Sequence, residues 1–210
     1  MKPIAAIAKF FLALSLICCA TGLTMAQESK PPQTPPAQPA PAARPLPSPE
    51  NAAAIPAANP ADVASMDAII AALYDVISGP AGKKRDWDRM RSLFVPGARL
   101  IPTGPRPGGG YGVRVGAVED YITRSAPYLE SQGFFEAEIA RKTDTFGNIA
   151  HVFSTYDSRH KADDEKPFGR GINSIQLLND GKRWWIVTVF WQGEDEKNPL
   201  PEKYLNSLSR

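Results

Sequence analysis

The chain has 210 residues, room for one domain and a tail. Its hydrophobic fraction of 43% and charged fraction of 22% are those of a globular protein and exclude a wholly disordered one. The formal charge of +2 includes Lys2 and Lys9, the only charges before Glu28; without these two, 22 basic residues face 22 acidic ones, a balance that excludes broad nucleic-acid binding.

Residues 1–26 read as a secretory signal. Lys2 and Lys9 form the positive start, residues 10–18 an apolar run too short for a membrane span, and Thr24-Met25-Ala26 a small-residue cleavage site. The protein is therefore expected to be exported, periplasmic or extracellular. Both cysteines, Cys18 and Cys19, lie in this leader, so a chain cleaved after Ala26 has no disulfide, thiol nucleophile or cysteine metal site. A lipoprotein anchored through one of them is the alternative, with membrane contact only if the leader is retained or lipidated. Residues 27–60 form a Pro/Ala-rich spacer: eleven of the 21 prolines fall between Pro31 and Pro60. Proline donates no backbone hydrogen bond and alanine builds no core, so the segment is read as an extended, disordered linker.

The remaining 61–210 segment is one domain. Met66, Ile69, Ile70, Leu73, Tyr74 and Ile77 follow the spacing of an amphipathic helix, with Asp62 or Ser65 as its cap and Gly79-Pro80 as its stop. Trp87, Met90, Arg91 and Phe94 share one face of a second helix over 86–94. Short strands follow at 98–102 and 113–115, separated by a Gly/Pro loop over 103–112. A third helix spans 117–131, and Pro127 within it predicts a kink or an early end. Beyond Gly133 the period becomes two, predicting strands at 134–146, 149–160, 168–179 and 182–192. Gly147-Asn148 and Asp180-Gly181 serve as two-residue hairpin turns. The fold class is α+β, with the helices against one face of a curved antiparallel sheet.

This order, and several phrases in it, resembles the nuclear transport factor 2-like superfamily, which includes SnoaL-like polyketide cyclases and ketosteroid isomerase. The residues that carry the resemblance are the first helix, the run from Asp86-Trp87-Asp88 to Phe94-Val95-Pro96-Gly97-Ala98, the strand His151-Val152-Phe153-Ser154-Thr155-Tyr156, and the closing Gly181-Lys182-Arg183-Trp184-Trp185-Ile186-Val187. The resemblance implies a cone-shaped sheet with about three N-terminal helices packed on its concave face, a pocket between them, and a homodimer through the outer sheet face. Enzymes, binders and dimerisation modules share this fold, so it assigns no chemistry.

Uninterrupted pairing from the two turns sets Asp157 opposite Glu138, Arg159 opposite Glu136, Tyr156 opposite Ile139, Arg170 opposite Trp191 and Asn173 opposite Thr188. Glu136, Glu138 and Asp157 then share a charge-rich face, and Asp157 reads as a solvated or interface charge. Ketosteroid isomerase uses an aspartate base beside a tyrosine, but the neighbours Tyr156 and Asp157 point to opposite faces of a regular strand. His151 and His160 have opposite parity on one strand and suggest no shared metal. The loop over 104–112 lacks the Gly-Lys-Ser/Thr ending of a phosphate-binding loop. Trp184 is expected to face outward from Trp185 and Trp191. Arg170, flanked by Gly169 and Gly171, needs a partner or an open cavity, and Asn173 marks a pocket edge or a specific core contact.

The expected ligand-binding residues are Trp87, Tyr121, Tyr156, Arg170 and Trp191, with Arg170 lying on the Trp191 indole. A phenol and a guanidinium there would hold the polar or anionic end of a small apolar ligand. No pocket carboxylate is evident, which favours a binding protein over an enzyme acting on an apolar carbonyl compound. No cofactor and no metal are expected.

Overall fold

The structure, a computed structural model, describes residues 55–206. The leader and most of the Pro/Ala-rich segment lie outside the described residues.

Helix α1 (Pro60–Val63) is a single turn capped by Asn59, whose Oδ1 accepts from the Ala61 N–H. Helix α2 (Met66–Ile77) has the bounds that its spacing predicts. Ser65 is its cap and accepts from the Ala68 N–H at 3.0 Å. Ile69, Ile70, Leu73, Tyr74 and Ile77 are buried on one face. At about 2–3 kcal/mol for each fully buried large side chain, this stripe anchors α2 to the sheet. Helix α3 (Trp87–Leu93) is capped by Asp86. Helix α4 (Val118–Gln132) runs on for five residues past Pro127, so the early end expected there does not occur. Its first turn is held by the Asp120 carboxylate, which accepts from the Ala117 N–H at 2.8 Å.

The strands are β1 (Phe94–Pro105), β2 (Tyr111–Val113), β3 (Phe135–Phe146), β4 (Ile149–Arg159), β5 (Gly169–Asn179) and β6 (Trp184–Gly193). They form one sheet in the order β2-β1-β6-β5-β4-β3. Every neighbouring pair is antiparallel except β1 and β6, which run parallel. The expected 103–112 loop is shorter than the sequence suggests. Thr103–Pro105 pairs with Tyr111–Val113, leaving a hairpin tip closed by the Arg106 N–H to the Gly110 carbonyl. Helices α2 and α4 lie on the concave face, α2 against β3 and β6 and α4 against β1.

Two bulges alter the faces expected from strict alternation. Opposite β4, Ile139 is left unpaired: Ala140 faces Thr155, but Glu138 faces Tyr156 and Glu136 faces Ser158. Opposite β5, Val187 is unpaired: Gln176 faces Thr188, but Leu177 faces Ile186. A bulge inserts one residue and reverses side-chain parity beyond it. The first moves Glu136 and Glu138 from the outer face to the concave one. The second puts Trp184 and Trp191 on the same side, both packed against the core. The β5–β6 turn is also longer than two residues, because Asn179 pairs with Trp184. Asp180 closes it, its Oδ1 accepting from the N–H groups of Lys182 and Arg183. As a result Asn173, not Arg170, faces Trp191, and Arg170 faces Asp157.

The C-terminal segment crosses the outer face of the sheet. Thr155 Oγ1 donates to the Tyr204 carbonyl at 2.7 Å, and the Tyr204 and Phe153 rings are 5.1 Å apart. Tyr111 Oη donates to Asp195 at 2.5 Å and accepts from Asn198 at 2.6 Å, tying the β1–β2 hairpin to this segment. Phe190 remains 42% exposed on that face.

Candidate active site

A cavity of about 330 Å³ lies between α2, α4 and the concave face. Its walls are mainly apolar, with Leu73, Ile77, Leu100, Leu129, Phe134 and Val189 among them. Tyr121, Tyr156 and Trp191 line it, with the Tyr121 and Trp191 rings edge to face at 6.2 Å. Three of the five residues singled out in the sequence thus meet at one cavity.

Trp87 and Arg170 do not join them. Trp87 starts α3 and packs against the core elsewhere. Arg170 is ion-paired with Glu194, at 2.8 and 3.1 Å, so it does not lie on Trp191. The longer β5–β6 turn and the Val187 bulge account for this. Asp157 is not solvated: it is buried and bound by Arg159 at 2.7 Å, on the opposite face from Tyr156. His151 contacts Ser174 Oγ at 3.0 Å, and His160 stacks on Phe168 at 4.2 Å.

The polar end of the cavity holds a carboxylate absent from the sequence-based expectation. Glu136, carried inward by the Ile139 bulge, lines the cavity. Its Oε2 accepts from Ser158 Oγ at 2.9 Å, and its Oε1 has a longer contact of 3.5 Å with Asn173 Nδ2. Glu136 is half-buried and lines both this cavity and a second groove between α2 and β3. Removal from water pushes its pKa up to about 7; the Ser158 and Asn173 donors lower it, and the charge of Asp157 adds to the rise.

Three phenols surround this carboxylate. Burial raises the pKa of Tyr74, Tyr121 and Tyr156, and the Glu136 charge raises each further. All three are therefore neutral O–H donors. Tyr74 Oη contacts Ser154 Oγ at 2.7 Å and accepts from Asn173 Nδ2 at 3.1 Å; Ser154 in turn donates to Glu138 at 2.5 Å. Ser125, one turn along α4, offsets part of the rise at Tyr121. Tyr156 Oη has no protein hydrogen-bond partner among the described residues. The arrangement offers a proton acceptor of near-neutral pKa and an uncommitted phenol donor in an apolar enclosure.

No protein-family description matches the chain, and no curated protein matches its sequence. Similar solved structures include proteins described as nuclear transport factor 2-like. An NTF-2-like protein of unknown function from Silicibacter pomeroyi is 14% identical, with 62% of this chain and 94% of that one covered and a TM-score of 0.44. An NTF2-like protein of unknown function from Shewanella baltica is 18% identical, with coverages of 63% and 98% and a TM-score of 0.39. A protein from Novosphingobium aromaticivorans, provisionally assigned as a scytalone dehydratase, is 15% identical, with coverages of 69% and 93% and a TM-score of 0.41. None of these likenesses assigns a chemistry to this chain.

Proposed function

We propose that the cavity is the active site of an enzyme that moves a proton on a small, largely apolar carbonyl compound. The observation that carries this reading is Glu136, a carboxylate in an apolar cavity with its pKa raised to about 7. A general base works best with a pKa near the working pH. Ionised Glu136 takes a proton from the carbon next to the carbonyl. The C–H electrons form the enolate, and the Tyr156 O–H donates to its oxygen. Such a donor is worth about 3–4 kcal/mol where charge develops away from water. Protonated Glu136 then returns the proton to the same carbon, which gives exchange, or, where a neighbouring double bond extends the enolate to a dienolate, to its far carbon, which gives an isomer with no net loss of atoms or charge.

A second reading, binding without turnover, draws on Ser158 and Asn173, which already satisfy Glu136. The two separate in heavy water. With a panel of cyclic and aryl ketones, turnover predicts deuterium at the carbon next to the carbonyl, lost in Glu136→Gln and kept in Asp157→Asn. Compounds that bind without exchange in the wild type would leave a binding protein.

Export is part of the proposal and rests on the leader's charge, apolar run and cleavage site. N-terminal sequencing should begin at Gln27; a lipid-bearing Cys18 or Cys19 would replace export with anchoring.

A further inference from the structure

The cavity opens on α4, where Arg124 and the 48% exposed Tyr128 belong to its lining. A side cleft of about 210 Å³ adjoins it and shares Leu100, Tyr121, Arg124, Ser125 and Trp191 as walls. The cleft adds Arg114, from the end of the β1–β2 hairpin, so two guanidinium groups flank the junction.

These two differ from the ion-paired arginines of the described residues. Arg89, Arg91, Arg141, Arg159 and Arg170 each hold a carboxylate. Arg114 and Arg124 hold none; Arg124 has only a 3.3 Å contact with the Asp120 carbonyl. The acids nearest on α4 are committed elsewhere, Asp120 to the Ala117 N–H and Glu119 to Arg91. Arg85, Arg99, Arg106 and Arg183 also lack a carboxylate, but none of them lines this cavity or cleft. Neither Asp120 nor Glu119 lines the cavity or the cleft, although the Asp120 carboxylate lies beside Gly116 at the cleft's edge, so the mouth is lined by two guanidinium groups and no carboxylate, over walls of Trp191, Tyr121 and Leu100.

We propose that the substrate is an acid: an apolar body on Trp191 and Tyr121 presents its carbonyl to Glu136, while a carboxylate or comparable monoanion at its other end is held between Arg114 and Arg124. This rests on the cavity being the active site. The arrangement keeps the substrate's charge away from Glu136 and fixes which end enters first. Charge-assisted bonds from guanidinium to a carboxylate are directional and can be bidentate. At a partly exposed mouth solvent weakens each, and salt screens it.

The test compares two fluorescent probes with the same aromatic body, anilinonaphthalene sulfonate and neutral phenyl-naphthylamine. The anionic probe should bind more tightly. The double variant Arg114→Gln/Arg124→Gln should weaken it about tenfold without affecting the neutral probe, and roughly half-molar salt should act in the same direction. Because both arginines are exposed, the melting temperature should not move. Ser125→Trp, which fills the junction, should exclude both probes. Equal binding of the two probes, or a double variant that affects both alike, would overturn the acidic substrate and leave the cavity reading standing. Probes that ignore Ser125→Trp, or fail to bind at all, would remove the cavity reading as well.

Discussion

Tyr156 lies against Gly171, its partner on β5, so closely that a Cβ at position 171 would come within 2.5 Å of the phenol oxygen and 2.4 Å of the Gln192 carbonyl. Only a residue without a side chain lets the phenol extend over the sheet into the cavity. Gly171→Ala must tilt the ring or open the ladder, at a cost of about 1–3 kcal/mol. Calorimetry should show that loss, and deuterium exchange should be abolished. Tyr156→Phe removes an oxygen with no protein partner, so it should leave the melting temperature nearly unchanged while slowing exchange about 100-fold or more. Undiminished exchange in Tyr156→Phe would take the oxyanion role away from this residue.

Glu136 ties stability to pH. Its carboxyl has a higher pKa in the folded chain, about 7, than its ordinary 4.5. The folded state therefore binds the proton more tightly than the unfolded one. The contribution is fully present below pH 4.5 and is lost as pH rises to about 7. The slope is at most about 1.4 kcal/mol per pH unit. Glu136→Gln should be more stable than wild type at pH 8, with the difference shrinking towards pH 4.5. Parallel pH–stability curves for the two proteins would show that Glu136 titrates normally.

The helices and the β3–β4 hairpin were legible because their signals are local. The i, i+3, i+4 spacing of α2 and the Gly147-Asn148 turn follow from short-range geometry, and Phe146 does pair with Ile149. The bulges were not legible. Ile139 and Val187 are ordinary strand residues, and nothing in their type says that they are skipped by the partner strand. One missed residue reverses a face, so Glu136 and Glu138 were placed outside although they lie on the concave side. Tyr156 and Asn173 line the cavity; the polarity of Asn173 among apolar neighbours is a local signal, though one that a pocket edge and a specific core contact share. Arg170 carried a similar signal, but its partner Glu194 lies 24 residues away in a segment beyond the last strand.

Arg85 is buried without a carboxylate. It donates instead to main-chain carbonyls of Ile77 at 3.0 Å, Gly79 at 2.7 Å and Leu129 at 2.9 Å, joining the end of α2 to α4. The Lys83 carbonyl and, at 3.5 Å, the Pro80 carbonyl complete this set. An ammonium cannot span the same fork. Arg85→Lys should therefore lose about 1–3 kcal/mol and Arg85→Met more, because the carbonyls are left unmet. Urea titration measures both; a Lys variant as stable as wild type would show that charge alone suffices.

The folded unit reaches into the Pro/Ala-rich segment. Ile55 and Pro56 share a groove with Phe94 and Val95, and Ala58 packs on the core. A chain starting at Ile55 should melt like the full-length chain, whereas one starting at Asn59 should lose about 1–2 kcal/mol of apolar burial. Equal melting of the two would make these contacts incidental.

The proton-transfer reading depends on the ionisation of Glu136, and carbon-13 NMR titration of the side-chain carboxyl groups, with Glu136→Gln to assign the resonance, measures it without a known substrate. The account predicts a midpoint of about 7, which should shift when an apolar compound fills the cavity. A midpoint near the ordinary 4.5, indifferent to occupancy, would contradict it.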